Sequence, residues 1–216
     1  MRISLSLWSM DQASVADEVR IYQPLVDSFH VDVMDGRFAD DLLFGPLAVQ
    51  TLRRLTDRPV VAHLMVSRPD RWLARFVDAG ADTLVVHPSA CDDLAATVDA
   101  VRRAGARAGV AIGLDEPSRD ALDLVEALSV VLVMATPVGV KGRAFDPAAL
   151  ETVADACRAR GGAPATEVYV DGGIRTSSVA DIAAAGADGV VAGSILTGAA
   201  DPAAAARGIH RLGARG

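Results

Sequence analysis

The sequence predicts an α/β protein, a single (β/α)8 TIM barrel domain spanning residues 1–216, from three observations. Short runs rich in Val, Ile and Leu alternate eight times with longer stretches of helical periodicity, the pattern of repeated βα units around a parallel sheet. An internal echo, Ala79-Gly80-Ala81-Asp82 in Ala185-Gly186-Ala187-Asp188, falls between helix and strand in two of those units. Finally, apolar runs end in His30 and Asp32, in His63 and in Asp171. Residues at the carboxyl ends of different strands converge when the strands are parallel members of one closed sheet.

The first half of the chain gives four units. Strand one is Arg2 to Leu7. Helix one is Asp11 to Leu25, with Asp17, Glu18 and Arg20 on its wet side and Val15, Val19 and Leu25 inward. Strand two is Ser28 to Met34. Helix two opens at Gly45-Pro46, where a proline in the first turn sacrifices no hydrogen bond, and runs to Thr56. Strand three is Val60 to Met65; helix three runs from Pro69 to Ala79-Gly80, the glycine supplying a left-handed cap. Strand four is Thr83 to His87.

The second half repeats the alternation. Helix four (Asp92 to Ala104) leads to strand five (Ala108 to Ile112), and helix five (Arg119 to Leu128) to strand six (Val130 to Met134). Helix six (Pro147 to Arg160) precedes strand seven (Glu167 to Asp171); helix seven (Ser178 to Ala185) precedes strand eight (Gly189 to Ala192) and an eighth helix from Pro202. An open doubly wound sheet would use fewer strands and a Gly-x-Gly-x-x-Gly turn after the first, which the sequence lacks.

Composition narrows the function. A net charge of −7, with Lys and Arg scattered, argues against a nucleic-acid partner. No uncharged apolar stretch reaches the roughly 18 residues of a membrane span, and Arg2 with an early Asp11 does not read as a secretory leader. Cys91 and Cys157 form neither a disulfide framework nor a metal pair, so a reduced, cytoplasmic setting is expected.

The stretch His30-Val31-Asp32-Val33-Met34-Asp35-Gly36 places His30, Asp32 and Met34 on one face of a strand. His63 and Met65 repeat that spacing, and Asp171 ends a third run. Imidazole nitrogen with carboxylate oxygen suits one divalent ion, zinc, iron, cobalt or manganese, so His30, Asp32, His63 and Asp171 are the expected ligands. His87, before Pro88, is the next candidate for the rim; His210 on the last helix is expected in solvent. Gly172-Gly173 and Gly193-Ser194 expose backbone N–H groups ahead of helices after strands seven and eight, a recurrent phosphate site of barrels.

Several long motifs, in order and spacing over nearly the whole chain, resemble the ribulose-phosphate 3-epimerase family. They are Ser6-Leu7, His30 to Gly36, Phe44-Gly45-Pro46, His63-Leu64-Met65-Val66, Ala79-Gly80-Ala81-Asp82, Leu132-Val133-Met134, Asp171-Gly172-Gly173-Ile174 and Ala192-Gly193-Ser194. The resemblance implies a ribulose-phosphate-binding barrel whose metal is held by His30, Asp32, His63 and Asp171, with Asp32 and Asp171 also the acid/base pair. It further implies that Met34, Met65 and Met134 wall the reacting carbon and that Ser6 touches the substrate. Inverting a carbon beside a ketone requires removing its proton from one face and returning one to the other, which two carboxylates can do through a planar 2,3-enediolate. The implied activity is metal-dependent 3-epimerisation of a phosphorylated ketose, D-ribulose 5-phosphate to D-xylulose 5-phosphate, in a chain that self-associates as the family often does.

Two loops depart from the family pattern. Pro137-Val138-Gly139-Val140-Lys141-Gly142-Arg143 stands where Asn-Pro-Gly-Phe-Gly-Gly-Gln is usual; it keeps Gly139 and Gly142 for the substrate and adds Lys141 and Arg143, which either reach the phosphate or stay in solvent. Gly36-Arg37-Phe38-Ala39-Asp40-Asp41 replaces Gly-His-Phe-Val-Pro-Asn. The opening residues 3–11 and His87-Pro88 look more like the allulose-6-phosphate 3-epimerase branch, so D-allulose 6-phosphate or a tetrulose phosphate is the alternative substrate. A lyase of the same barrel group would carry Asp-x-Lys-x-x-Asp on a strand, and the run around Asp32 and Asp35 has no Lys. A non-catalytic phosphosugar sensor would have no need of both Asp and both His.

Overall fold

The computed structural model describes residues 1–161 and 165–212; the remainder of the 1–216 span assigned to one barrel lies outside the described residues. Eight strands, β1 (Arg2–Ser6), β2 (Ser28–Asp35), β3 (Val60–Met65), β4 (Thr83–Val86), β5 (Arg107–Ile112), β6 (Val130–Met134), β7 (Glu167–Asp171) and β8 (Gly189–Ala192), run parallel, each paired to the next. β8 pairs with β1, closing the barrel. Register sets what meets what at the upper end: Ser6 lies opposite His30, Asp32 opposite His63, Met34 opposite Met65, and Met134 opposite Asp171.

Both faces of these strands are buried, which is why the strand sequences read as near-continuous apolar runs. Ile3, Leu5, Phe29, Val31, Leu64, Val110, Val131 and Val170 point outward into the core shared with the helices. Val85, Ala111, Leu132, Met134, Tyr169 and Val191 fill the barrel itself. Tyr169 occupies so much of that interior that a Cβ on its neighbour Gly189 would lie 2.3 Å from Cε1.

The outer ring comprises α1 (Val15–Tyr22), α2 (Pro46–Leu55), α3 (Leu73–Asp78), α4 (Leu94–Arg103), α5 (Arg119–Leu122), α6 (Ala149–Arg160), α7 (Thr176–Ala184), α8 (Ser194–Thr197) and α9 (Pro202–Leu212). Several expected boundaries shift. α1 begins at Val15, because the Asp11 carboxylate turns back to accept from the Ala13 N–H at 3.0 Å and the Ser14 hydroxyl at 2.9 Å, holding residues 11–14 in a turn. The third helix divides: a 3-10 turn at Pro69–Arg71 precedes α3, with Arg68 left-handed at φ +55°. The fifth shrinks to one turn plus a 3-10 turn at Val125–Ala127. α8 and an antiparallel two-residue strand, Leu42–Leu43 beside β2, have no counterpart in the sequence reading.

The Ala-Gly-Ala-Asp echo proves to be a device at the barrel floor. Gly80 takes φ +102° to end the helical segment, and the next aspartate reaches the adjoining strand: Asp82 accepts from the Val60 N–H at 2.7 Å and from Arg53 at 2.9 Å. Asp188 likewise accepts from the Val168 N–H at 2.8 Å and from Arg160. Asp27 does the same for Ile3 at 2.7 Å, without the preceding motif. His210 is exposed, with its ring nitrogens 3.0 Å from the Met1 carbonyl and 3.1 Å from that of Leu25. Both cysteines are free, and burial pushes the Cys91 thiol up to about 11. Among the described residues no helix is long and apolar enough to cross a membrane.

Candidate active site

The upper ends of β2, β3 and β7 bring His30, Asp32, His63 and Asp171 together, with one ligand-type atom from each lying within 4.8 Å of all the others. His30 and His63 are 1% and 0% exposed at their side chains, Asp32 7% and Asp171 16%, so the imidazoles form a floor under two carboxylates. His30 Nε2 stands 3.2 Å and His63 Nδ1 3.5 Å from Asp32 Oδ1, and each is 3.8 Å from Asp171 Oδ2. Both nitrogens are buried without a hydrogen-bond partner. An unpartnered buried nitrogen is costly, and two of them facing two carboxylates are the donor set of a borderline divalent ion. The residues therefore fit a metal ion.

Electrostatics divides the two carboxylates. Burial raises Asp32, but His30 and His63 outweigh it and hold this carboxyl well below the usual range. Asp171 moves upward, through burial and then the nearby Asp32 charge, with His30 offsetting only part. Burial takes the His63 ring down to about 4 despite Asp32, leaving it a neutral donor at neutral pH.

Above the cluster opens a cavity of about 180 Å3, with Asp32 and Asp171 in its wall. Met65 and Met134 line it too; Met34 does not, packing behind with Met65 and Ala39. Ser6 also faces the cavity, and its hydroxyl donates to Asp32 Oδ2 at 2.7 Å. Gly139, Lys141, Gly142, Gly172, Gly173, Gly193 and Ser194 all line the same cavity. Only glycine suits position 173, where φ is +64° and a Cβ would lie 2.2 Å from the Phe145 nitrogen. Lys141 crosses the mouth, donating to the Trp8 carbonyl at 2.6 Å with Nζ 5.1 Å above the Trp8 ring; Arg143 borders the same cavity. Arg37 lies outside it, in a turn held by Asp35 Oδ1, which accepts from the Arg37 N–H at 3.0 Å and that of Phe38 at 2.9 Å.

Trp8, Thr136 and Arg175 border the cavity as well, unforeseen from sequence. Thr136 follows Met134 by two residues, a same-face signal that extended spacing carries. Arg175 follows the Asp171 motif directly. His87, the expected rim residue, is fully buried behind His63.

A closed barrel whose glycine-lined mouth opens over a His2Asp2 cluster defines a class, TIM barrels with a donor set that fits a divalent ion at the carboxyl ends of the strands. Residues 2–197 match the ribulose-phosphate 3 epimerase family. The chain belongs to that family. It is 36% identical over 210 residues to the ribulose-phosphate 3-epimerase of Mycobacterium leprae, covering 97% of this chain and 93% of that protein. It is 33% identical over 204 residues to that of Bacillus subtilis, covering 93% and 94%. Among solved structures, 3-hexulose-6-phosphate synthase from Salmonella typhimurium superposes with a TM-score of 0.72 at 23% identity, over 99% of this chain and 98% of that one, a likeness of fold.

Proposed function

We propose that this protein interconverts D-ribulose 5-phosphate and D-xylulose 5-phosphate, with Asp32 and Asp171 as the two proton-transferring groups. The observation that carries this reading is the pair of carboxylates, on β2 and β7, sharing one cavity above two buried imidazoles. A ketose in that cavity presents its third carbon between them: one carboxylate takes the proton from one face, and the other returns a proton to the opposite face of the planar enediolate. The two carboxylates stand on different strands of one mouth, so either can accept the proton while the other supplies one. The reverse reaction exchanges the roles.

His30, Asp32, His63 and Asp171 would hold one divalent ion, zinc, iron, manganese or cobalt. Such an ion, when bound, draws charge from the substrate oxygens as they become negative. Ser6 orients Asp32 through its hydrogen bond. Met65 and Met134 keep water from the reacting carbon, and Met34 supports Met65 from behind. Backbone amides at Gly172, Gly173, Gly193 and Ser194 receive the phosphate, with Gly139, Lys141 and Gly142 closing over it.

Proton NMR in heavy water with a panel of ketose phosphates tests this. Ribulose 5-phosphate gains deuterium at carbon 3 as xylulose 5-phosphate appears, chelation stops the exchange, and Asp32→Asn and Asp171→Asn each lower kcat by about 100-fold or more. Exchange seen only with allulose 6-phosphate or a tetrulose phosphate would move the substrate; full activity of Asp171→Asn would remove the two-base mechanism.

A further inference from the structure

Behind the cluster, on the side away from the cavity, a chain of buried polar groups leads from His63 to a carboxylate outside the site. His63 Nε2 is 2.9 Å from His87 Nε2, and His87 Nδ1 is 3.0 Å from Glu116 Oε2. Both rings are 0% exposed, their planes inclined by 27°. Phe38 covers His87 from above, with ring centroids 5.0 Å apart. Glu116 belongs to the loop after β5, and every contact it makes in this network is as an acceptor. Oε2 receives the Gly113 N–H at 2.8 Å as well as His87, while Oε1 receives the N–H of Ser89 at 3.2 Å and the Ser89 hydroxyl.

That acceptor role sets the direction of the chain when each ring carries a single hydrogen. Because Glu116 offers only lone pairs, His87 Nδ1 carries a hydrogen and donates to it; a neutral His87 then has a bare Nε2. A bare Nε2 must receive, so His63 carries its own hydrogen on Nε2 and leaves Nδ1 as a lone pair. Nδ1 is the atom that faces Asp32 and Asp171 without a hydrogen-bond partner. We infer that Glu116 and His87 are positioning residues that lock His63 in the tautomer and ring orientation presenting Nδ1 to a divalent metal. This rests on the metal reading of the cluster, since a carboxylate acting through a ring N–H on a ligating imidazole raises its basicity and fixes its aim.

The test combines tautomers in the metal-free chain with binding of Co2+ alone. With four His in the sequence, long-range 1H–15N spectra separate the rings; His63 is expected as the Nε2–H form and His87 as the Nδ1–H form. His87→Leu removes the acceptor: His63 becomes a tautomer mixture and Co2+ affinity falls roughly 10–100-fold. Glu116→Ala acts in the same direction. His87→Gln, whose amide can accept from His63 and donate to Glu116, restores affinity to within a few-fold and preserves the tautomer. A His63 Nδ1–H form in the wild-type chain, or a His87→Leu variant that loses only thermal stability while binding Co2+ as the wild type does, would overturn the assignment. If the wild type binds no Co2+, the metal reading fails, and the tautomers still decide the relay.

Discussion

At the level of single residues, Asp82 shows how a short polar side chain can set strand geometry. Its carboxylate serves the Val60 N–H, at the fully buried first residue of β3, and the Arg53 guanidinium together. Removing it strands a buried donor and releases the arginine, at about 1–3 kcal/mol. Asp82→Ala should therefore lower the urea midpoint markedly, whereas Asp17→Ala, on the exposed side of α1, should barely move it. Equal effects would mean that the clamp contributes nothing specific. The same carboxylate-to-strand contact at Asp188 explains why the sequence repeats Ala-Gly-Ala-Asp: the glycine ends the helical segment and the aspartate starts the next strand in register.

Among elements, the strands were the most legible part of the sequence and the short helices the least. Strand interiors are sealed on both faces, so their apolar runs have sharp ends, and His30, Asp32, His63 and Asp171 announce themselves as polar residues where such runs stop. The loop after β5 carries no periodic signal, so Glu116 passes unnoticed: its partners, Ser89 and His87, lie 27 and 29 residues away in sequence. Hydrogen bonds there hold Glu116 down to about 2 against the opposing effect of burial. A depressed folded value means that the contribution to stability is complete above the ordinary value near 4.5 and fades as pH falls toward 2. Urea unfolding of wild type and Glu116→Gln should thus differ most at neutral pH, with the gap narrowing steadily below about pH 4.5. A gap independent of pH would assign the effect to packing.

For the molecule as a whole, charge poses a problem that the mouth resolves locally. A chain of net charge −7 repels a doubly charged sugar phosphate at long range, and Asp32 and Asp171 add to that at the cavity. Lys141, Arg143 and Arg175 line the same opening, so three cations act on an entering anion over about one Debye length, ~8 Å at physiological ionic strength. Lys141, tied to the Trp8 carbonyl, also joins the loop after β6 to the segment after β1 across the entrance. The cations compensate for a global field that backbone amides alone would have to overcome. It follows that KM for the ketose phosphate rises with added salt while kcat changes little, because screening weakens capture and leaves the buried carboxylates untouched. Neutralising Lys141, Arg143 and Arg175 together should raise KM at low salt and flatten its salt dependence. A salt response that survives the triple substitution would place the steering field elsewhere on the surface and leave these three side chains to the geometry of the loop.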